Sequence, residues 1–134
     1  MLLGTYEPKL IDERRIALPG KIRKEIKGKK IVLTIGFEKC ILGFEEKKWE
    51  EVTASDLSRP LSDSEGRDLR RKMFAEAAVV ELGAQGRFVI PGRMMEYAGI
   101  ENRLILIGAG DHFEIWEKTK WQTYLKQISQ EERQ

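Results

Sequence analysis

Two arginines each stand four residues ahead of a proline in matching surroundings, Arg15-Ile16-Ala17-Leu18-Pro19-Gly20 and Arg87-Phe88-Val89-Ile90-Pro91-Gly92. A guanidinium at the mouth of a short apolar strand can bind a phosphate or fork onto a guanine edge, a geometry that lysine cannot supply. Further cations gather around the first junction: Lys9, Arg14, Lys21, Arg23 and Lys24. From Pro8 to Lys30 nine positive minus three negative side chains give +6, whereas from Val80 to Asn102 Arg87 and Arg93 minus Glu81, Glu96 and Glu101 give −1. Cationic side chains near a glycine-punctuated turn are what phosphate contact needs. The charge contrast favours a phosphate-contacting patch at the first junction over a merely solvated face, with Arg87 a weaker contributor.

Other residue groups carry less chemistry. His112 lies between Asp111 and Glu114, but no second soft ligand stands at helical or hairpin spacing, so no metal site is expected. Cys40 opens an apolar run with Ile41 and Leu42 and reads as packed in a strand, not nucleophilic. Gly108-Ala109-Gly110 lacks the third glycine and the following helix of a nucleotide loop, so a hairpin turn is expected. No catalytic residue and no cofactor is predicted.

The elements that position the arginines follow from an internal repeat. Laying Pro19 on Pro91 brings together, without a gap, Leu10 with Leu82, Gly36 with Gly108, Phe44 with Trp116, Lys48 with Lys120 and Trp49 with Trp121. On that alignment Val32-Leu33-Thr34-Ile35 falls on Leu104-Ile105-Leu106-Ile107. Each copy reads as a short strand, a proline-opened helix (19–27 and 91–98) closed at Gly28 or Gly99, and two more strands (31–35 and 40–44; 104–107 and 113–116). Between them, Glu45 to Val52 continues as a helix, Pro60 interrupts, and Ser62 with Glu65 has capping-box spacing ahead of Leu69, Met73 and Ala77. A tail helix from about Thr119 carries a stripe of Trp121, Tyr124, Leu125 and Ile128, and Trp49 and Trp121 read as core anchors. The units are a first repeat over 5–48, a helical connector over 49–76, a second repeat over 77–120 and a C-terminal helix over 121–134. A copy of this size cannot bury both faces of its sheet, so the two should pair into one shared barrel.

At 134 residues, 41% hydrophobic and net +2, the chain suits one folded domain or two small units sharing a core. No apolar run is long enough to span a membrane, and a single cysteine excludes an internal disulfide, so a cytoplasmic location is expected.

Taken together, Met1-Leu2-Leu3-Gly4, Arg-x-x-x-Pro in both copies, Glu81-Leu82, Tyr97-Ala98-Gly99-Ile100 and the run Ile107 to Trp116 resemble the MraZ family of bacterial regulators, built from tandem SpoVT-AbrB-like units. The resemblance covers nearly the whole chain. It implies an α+β, mainly β fold, a double-split β-barrel flanked by amphipathic helices, assembly of subunits into a ring, and binding to short repeated promoter boxes of a cell division or cell wall operon. The family's Asp-x-Lys-Gly-Arg-x-x-x-Pro pattern reads here Ile11-Asp12-Glu13-Arg14-Arg15 and Gly83-Ala84-Gln85-Gly86-Arg87, so neither copy is complete. Arg15 carries over as the DNA-contacting position, with Arg14 supplying the charge of the missing lysine. The alternative expectation is an oligomeric protein-binding scaffold that has lost specific DNA binding.

Overall fold

The computed structural model describes residues 1–132. In chain order these form β1 (Thr5–Tyr6), β2 (Arg15–Ala17), α1 (Gly20–Arg23), β3 (Lys30–Ile35), β4 (Ile41–Glu45), α2 (Glu46–Ser58) and α3 (Ser64–Glu76). They continue as β5 (Ala78–Glu81), β6 (Arg87–Val89), α4 (Gly92–Ala98), β7 (Leu104–Gly108), β8 (Phe113–Glu117) and α5 (Lys118–Glu132), with a 3-10 turn over Ala84–Gly86. The order strand, strand, short helix, strand, strand occurs twice, as the repeat requires.

Six strands form one sheet in the order β1-β7-β8-β4-β3-β5, and β2 pairs with β6 as a separate ribbon. Each copy's β-hairpin, β3–β4 or β7–β8, therefore receives its outer strand from the other copy: β5 lies on β3, and β1 on β7. A local pseudo-two-fold axis runs between β4 and β8, which join the halves through Ile41↔Ile115 and Gly43↔Phe113. Neither copy completes its sheet alone. The strand pairings do not close into a barrel, because the six-stranded sheet ends at β1 and β5 and the ribbon stands apart from it.

Three layers result. One sheet face packs Ile31, Leu33, Ile41, Leu104, Leu106, Phe113 and Ile115 against the ribbon and the short helices, through Ile16, Leu18, Ile22, Phe88, Ile90 and Met94. The other face presents Leu42, Phe44 and Trp116 to α2, α3 and α5, through Trp49, Leu69, Met73, Trp121 and Tyr124. The expected tryptophan anchors are repeated faithfully: Trp49 meets Phe44 edge-on at 5.2 Å, and Trp121 meets Trp116 at 5.3 Å.

Several expectations need correction. The gapless alignment fails in one strand, because Ile31↔Glu45 corresponds to Leu104↔Glu117, so β7 is shifted one residue against β3. A one-residue slip turns every side chain to the opposite face. The shift puts Leu104 and Leu106 inward with Ile31 and Leu33, and it leaves Thr34 facing the helical layer, where its hydroxyl donates to the Met73 carbonyl. The first helix ends at Arg23, not Lys27: bonds from Glu25 N to Ile22 O (3.1 Å) and Ile26 N to Arg23 O (3.2 Å) tighten the chain as Ile26 enters the core. Its counterpart runs to Ala98 as expected and closes at Gly99, φ 68°. The helix expected over Glu45 to Val52 with Pro60 as its interruption runs from Glu46 to Ser58 and stops before Pro60, whose ring disfavours the helical conformation at Arg59. The cap of α3 is Asp63, not Ser62, its carboxylate accepting from Gly66 N at 3.3 Å and from Arg59 Nε at 2.6 Å. Leu125 stands 46% exposed, outside the covered stripe of α5. Residues 133–134 of the expected terminal unit lie outside the described residues.

Candidate nucleic-acid interface

The ribbon is built by alternation. Register Arg15↔Val89, Ile16↔Phe88 and Ala17↔Arg87 sends the central pair to one face and the four outer residues to the other. Ile16 and Phe88 are 0% and 2% exposed, and burying them contributes about 1.5–3 kcal/mol each, which two strands of three residues need to stay in place. Arg15 and Arg87 thereby stand diagonally across one exposed face. Reciprocal bonds extend the pairing at both ends, Leu18 N to Gly86 O at 3.0 Å and Ile90 N to Arg14 O at 2.7 Å.

The two loops that present the arginines reach one shape by different means. In both, the residue four before the arginine donates to the arginine's carbonyl, Ile11 N to Arg15 O at 2.8 Å and Gly83 N to Arg87 O at 2.7 Å. In the first copy Asp12 Oδ1 accepts the N–H groups of Arg14 (3.0 Å) and Arg15 (2.9 Å). The Arg14 N–H, opposed by desolvation and joined by the Arg15 charge, holds the Asp12 carboxyl below its ordinary range. The second copy has no acid there and turns through Gln85 (φ 62°) and Gly86 (φ 73°). This role of Asp12 is not apparent in the sequence reading, where the residue enters only as a negative charge and as part of an incomplete family pattern; its Asx-turn spacing to Arg14 and Arg15 is the available signal.

The structure also redistributes the predicted cations. Because the strands are antiparallel, α1 leaves the ribbon beside Arg87, and α4 leaves it beside Arg15. The Arg23 stem lies against Gly86, where a Cβ would meet its Cδ at 2.7 Å, and Arg14 reaches Gly92, where a Cβ would lie 3.4 Å from its Nη1. Lys21, Arg23 and Lys24 thus flank Arg87, not Arg15, while Arg14 stays with Arg15; Lys9 is exposed on the segment leading into the first loop. Arg15 pairs with Asp12 at 3.5 Å, both side chains about half exposed. Such a surface pair is worth roughly 0–1 kcal/mol, too little to withhold Arg15 from an external anion. Among the described residues Lys9, Arg14, Lys21, Arg23, Lys24 and Arg87 enter no ion pair, whereas Arg93 is bonded to Glu76.

The groups set aside in the sequence serve packing or local bonding. Cys40 is 1% exposed, its thiol donating to Phe37 O at 3.2 Å, and burial pushes its pKa up to about 12. His112 Nδ1 lies 2.7 Å from Asp111 and Nε2 2.9 Å from Glu114, and the ring stacks on Phe44 at 5.3 Å. Glu114 also accepts from Trp116 Nε1 at 3.0 Å. Among the described residues no group of three or more His, Cys, Asp or Glu side chains is arranged to hold a metal ion, and no helix is long and apolar enough to cross a membrane.

Comparison with known proteins agrees with this duplicated architecture. The family profile described as "MraZ protein, putative antitoxin-like" matches twice, over residues 1–72 and 73–134. A protein of Roseiflexus sp. (strain RS-1) named Transcriptional regulator MraZ is 38% identical over 125 residues, 93% of this chain and 87% of that protein. One of the same name from Kocuria rhizophila is 40% identical over 127 residues, 95% and 88% of the two chains, and one from Salinispora tropica is 35% identical over 131 residues, 98% and 92%. With both copies matched and relatives similar across nearly their whole length, the chain belongs to the MraZ family.

Proposed function

We propose that this protein is a transcriptional regulator that binds double-stranded promoter DNA through the exposed face of the β2–β6 ribbon. The observation that carries the reading is the placement of Arg15 and Arg87 on that one face, with the remaining cations around its rim. A B-DNA major groove, about 12 Å wide, admits a two-stranded ribbon, and arginine is the commonest specific partner of guanine there. The arginines read base edges, and Lys21, Arg23, Lys24, Lys9 and Arg14 hold the backbone. The name shared by the relatives, Transcriptional regulator MraZ, supports the regulatory role.

One ribbon of this size has few contacts, so the working form is a ring-like homo-oligomer engaging repeated boxes in a promoter of cell division or cell wall genes. Exposed Leu57, Leu61 and Val79 around α2, α3 and the β5 edge support a subunit contact outside the ribbon. The test is a salt titration of binding to repeat-box and scrambled duplexes. Arg15→Ala and Arg87→Ala should each lose repeat-box preference, at about 1–3 kcal/mol per forked guanine contact, with folding retained. Lys21→Ala and Lys24→Ala should weaken both duplexes and flatten the salt slope by about 0.9 for each phosphate no longer neutralised. Full affinity in both arginine variants at moderate salt would sink the ribbon assignment.

A further inference from the structure

The ribbon is a pseudo-two-fold object, but its two ends are not alike. We propose that each subunit lies on its DNA box in a single orientation, and that Glu76 and Glu96 set this orientation by cancelling the charge of α4. The inference rests on the ribbon reading above. Strand pairing and the reciprocal bonds Leu18 N to Gly86 O and Ile90 N to Arg14 O make Arg15 and Arg87 equivalent by rotation. Base contacts from such a pair are nearly unchanged when the subunit is turned end for end on a groove that itself has two-fold symmetry. Orientation must come from the parts that break the symmetry.

Those parts are the two short helices. Position for position after the prolines, Lys21 answers to Arg93, Arg23 to Met95 and Lys24 to Glu96. Lys21 and Arg23 of α1 and Lys24 at its C-terminal cap are exposed and, among the described residues, enter no ion pair. On α4 the only cation, Arg93, is bonded to Glu76 of α3, and Glu96 is exposed a turn away. One end of the ribbon therefore offers Lys21, Arg23 and Lys24 to a phosphate backbone, and the other offers Arg93 and Arg14 beside two carboxylates, Glu76 and Glu96. An acidic group facing phosphates is disfavoured as strongly as a cation is favoured, so the two orientations differ in electrostatic complementarity while sharing the same arginine contacts.

The experiment places a cutting reagent at one end of the ribbon. Gly20, the first residue of α1, has open space around its Cβ direction, and Cys40 is buried, so Gly20→Cys in the full chain gives one accessible thiol. Its iron-chelate derivative is bound to a short duplex carrying one box footprinted upstream of the protein's own gene. Strand cleavage on one flank of the box over the other by roughly tenfold or more is expected, the scale on which such charge differences sort binding modes. In the background Glu76→Gln with Glu96→Lys, the flank ratio should fall toward one, with circular dichroism unchanged. Equal cleavage of both flanks by the parent Gly20→Cys protein overturns the single orientation. One-sided cleavage that persists in the Glu76→Gln, Glu96→Lys background overturns the assignment to these carboxylates. Failure of the unlabelled protein to shift a duplex carrying three boxes, or binding without cleavage near the box, fails the ribbon reading itself and is distinguishable from both.

Discussion

Only a protonated His112 can donate through both ring nitrogens, one to Asp111 and one to Glu114. Burial pulls the His112 pKa down, but the hydrogen bonds to Glu114 and Asp111 and their charges outweigh it, so the net direction is upward from 6.5. Burial pushes Glu114 up, and the bonds from His112 and Trp116 more than offset it, so the net direction is downward from 4.5. A raised histidine stabilises the fold fully below its ordinary value and loses that contribution as pH rises through the folded value; a lowered glutamate stabilises above its ordinary value and loses its contribution on acidification. Both contributions are complete between about pH 4.5 and 6.5. His112→Gln should therefore destabilise by about 1–2 kcal/mol in that window and by less as pH rises beyond it, read as the difference between wild-type and variant melting profiles. A difference that does not vary with pH would mean that the ring is held neutral. Of these single-residue features, the sequence made His112 and its acidic neighbours visible as a group, but their direction of bonding required the hairpin that stacks the ring on Phe44.

Elements tell a similar story about what can be read in advance. The prolines at the starts of α1 and α4, Gly99 at the end of α4 and the paired tryptophans were legible, because each acts through its own backbone or its immediate neighbours. The one-residue slip of β7 against β3 was hidden because Val32 to Ile35 and Leu104 to Ile107 are apolar enough to fit either register, and the choice is made across the sheet. β1 and β5 were not recognised as strands, since two to four residues show no periodicity, and the partner of each lies in the other copy. The two arginines stand out in the sequence as a repeated pair, but the strand pairing that brings both onto one face does not. At the junction of β4 and β8, Gly43 is opposite Phe113, and a Cβ on Gly43 would lie 2.1 Å from the Phe113 ring. The fully buried ring has nowhere to retreat, so Gly43→Ala should cost about 1–3 kcal/mol, seen as a lower denaturant midpoint with an unchanged slope. An unaltered midpoint would show that the two halves can shift apart at their shared seam.

At the scale of the whole molecule the proposed regulator depends on number. On that proposal a single ribbon would bind one box weakly, and linking several through an assembly would raise affinity by about two to four orders of magnitude when the spacing lets them engage together. A duplex with three boxes should therefore be bound far more tightly than one with a single box, and inserting half a helical turn between boxes should remove most of the gain in a mobility-shift titration. Equal affinities would leave each ribbon acting alone. The exchange of β1 and β5 between copies has a separate consequence, for synthesis and assembly of the chain itself. As the chain emerges, β3 has no outer neighbour until β5 is made, and β1 waits for β7, so the amino-terminal half cannot fold to completion ahead of the rest. The same interleaving means that a chain cut in the Arg59–Asp63 connection between α2 and α3 remains held by two sheet edges, the β4–β8 seam and the ribbon. Two separately made pieces, each unfolded alone, should find one another and regain the native circular dichroism spectrum at a one-to-one ratio, because in this architecture each half is the other's missing template.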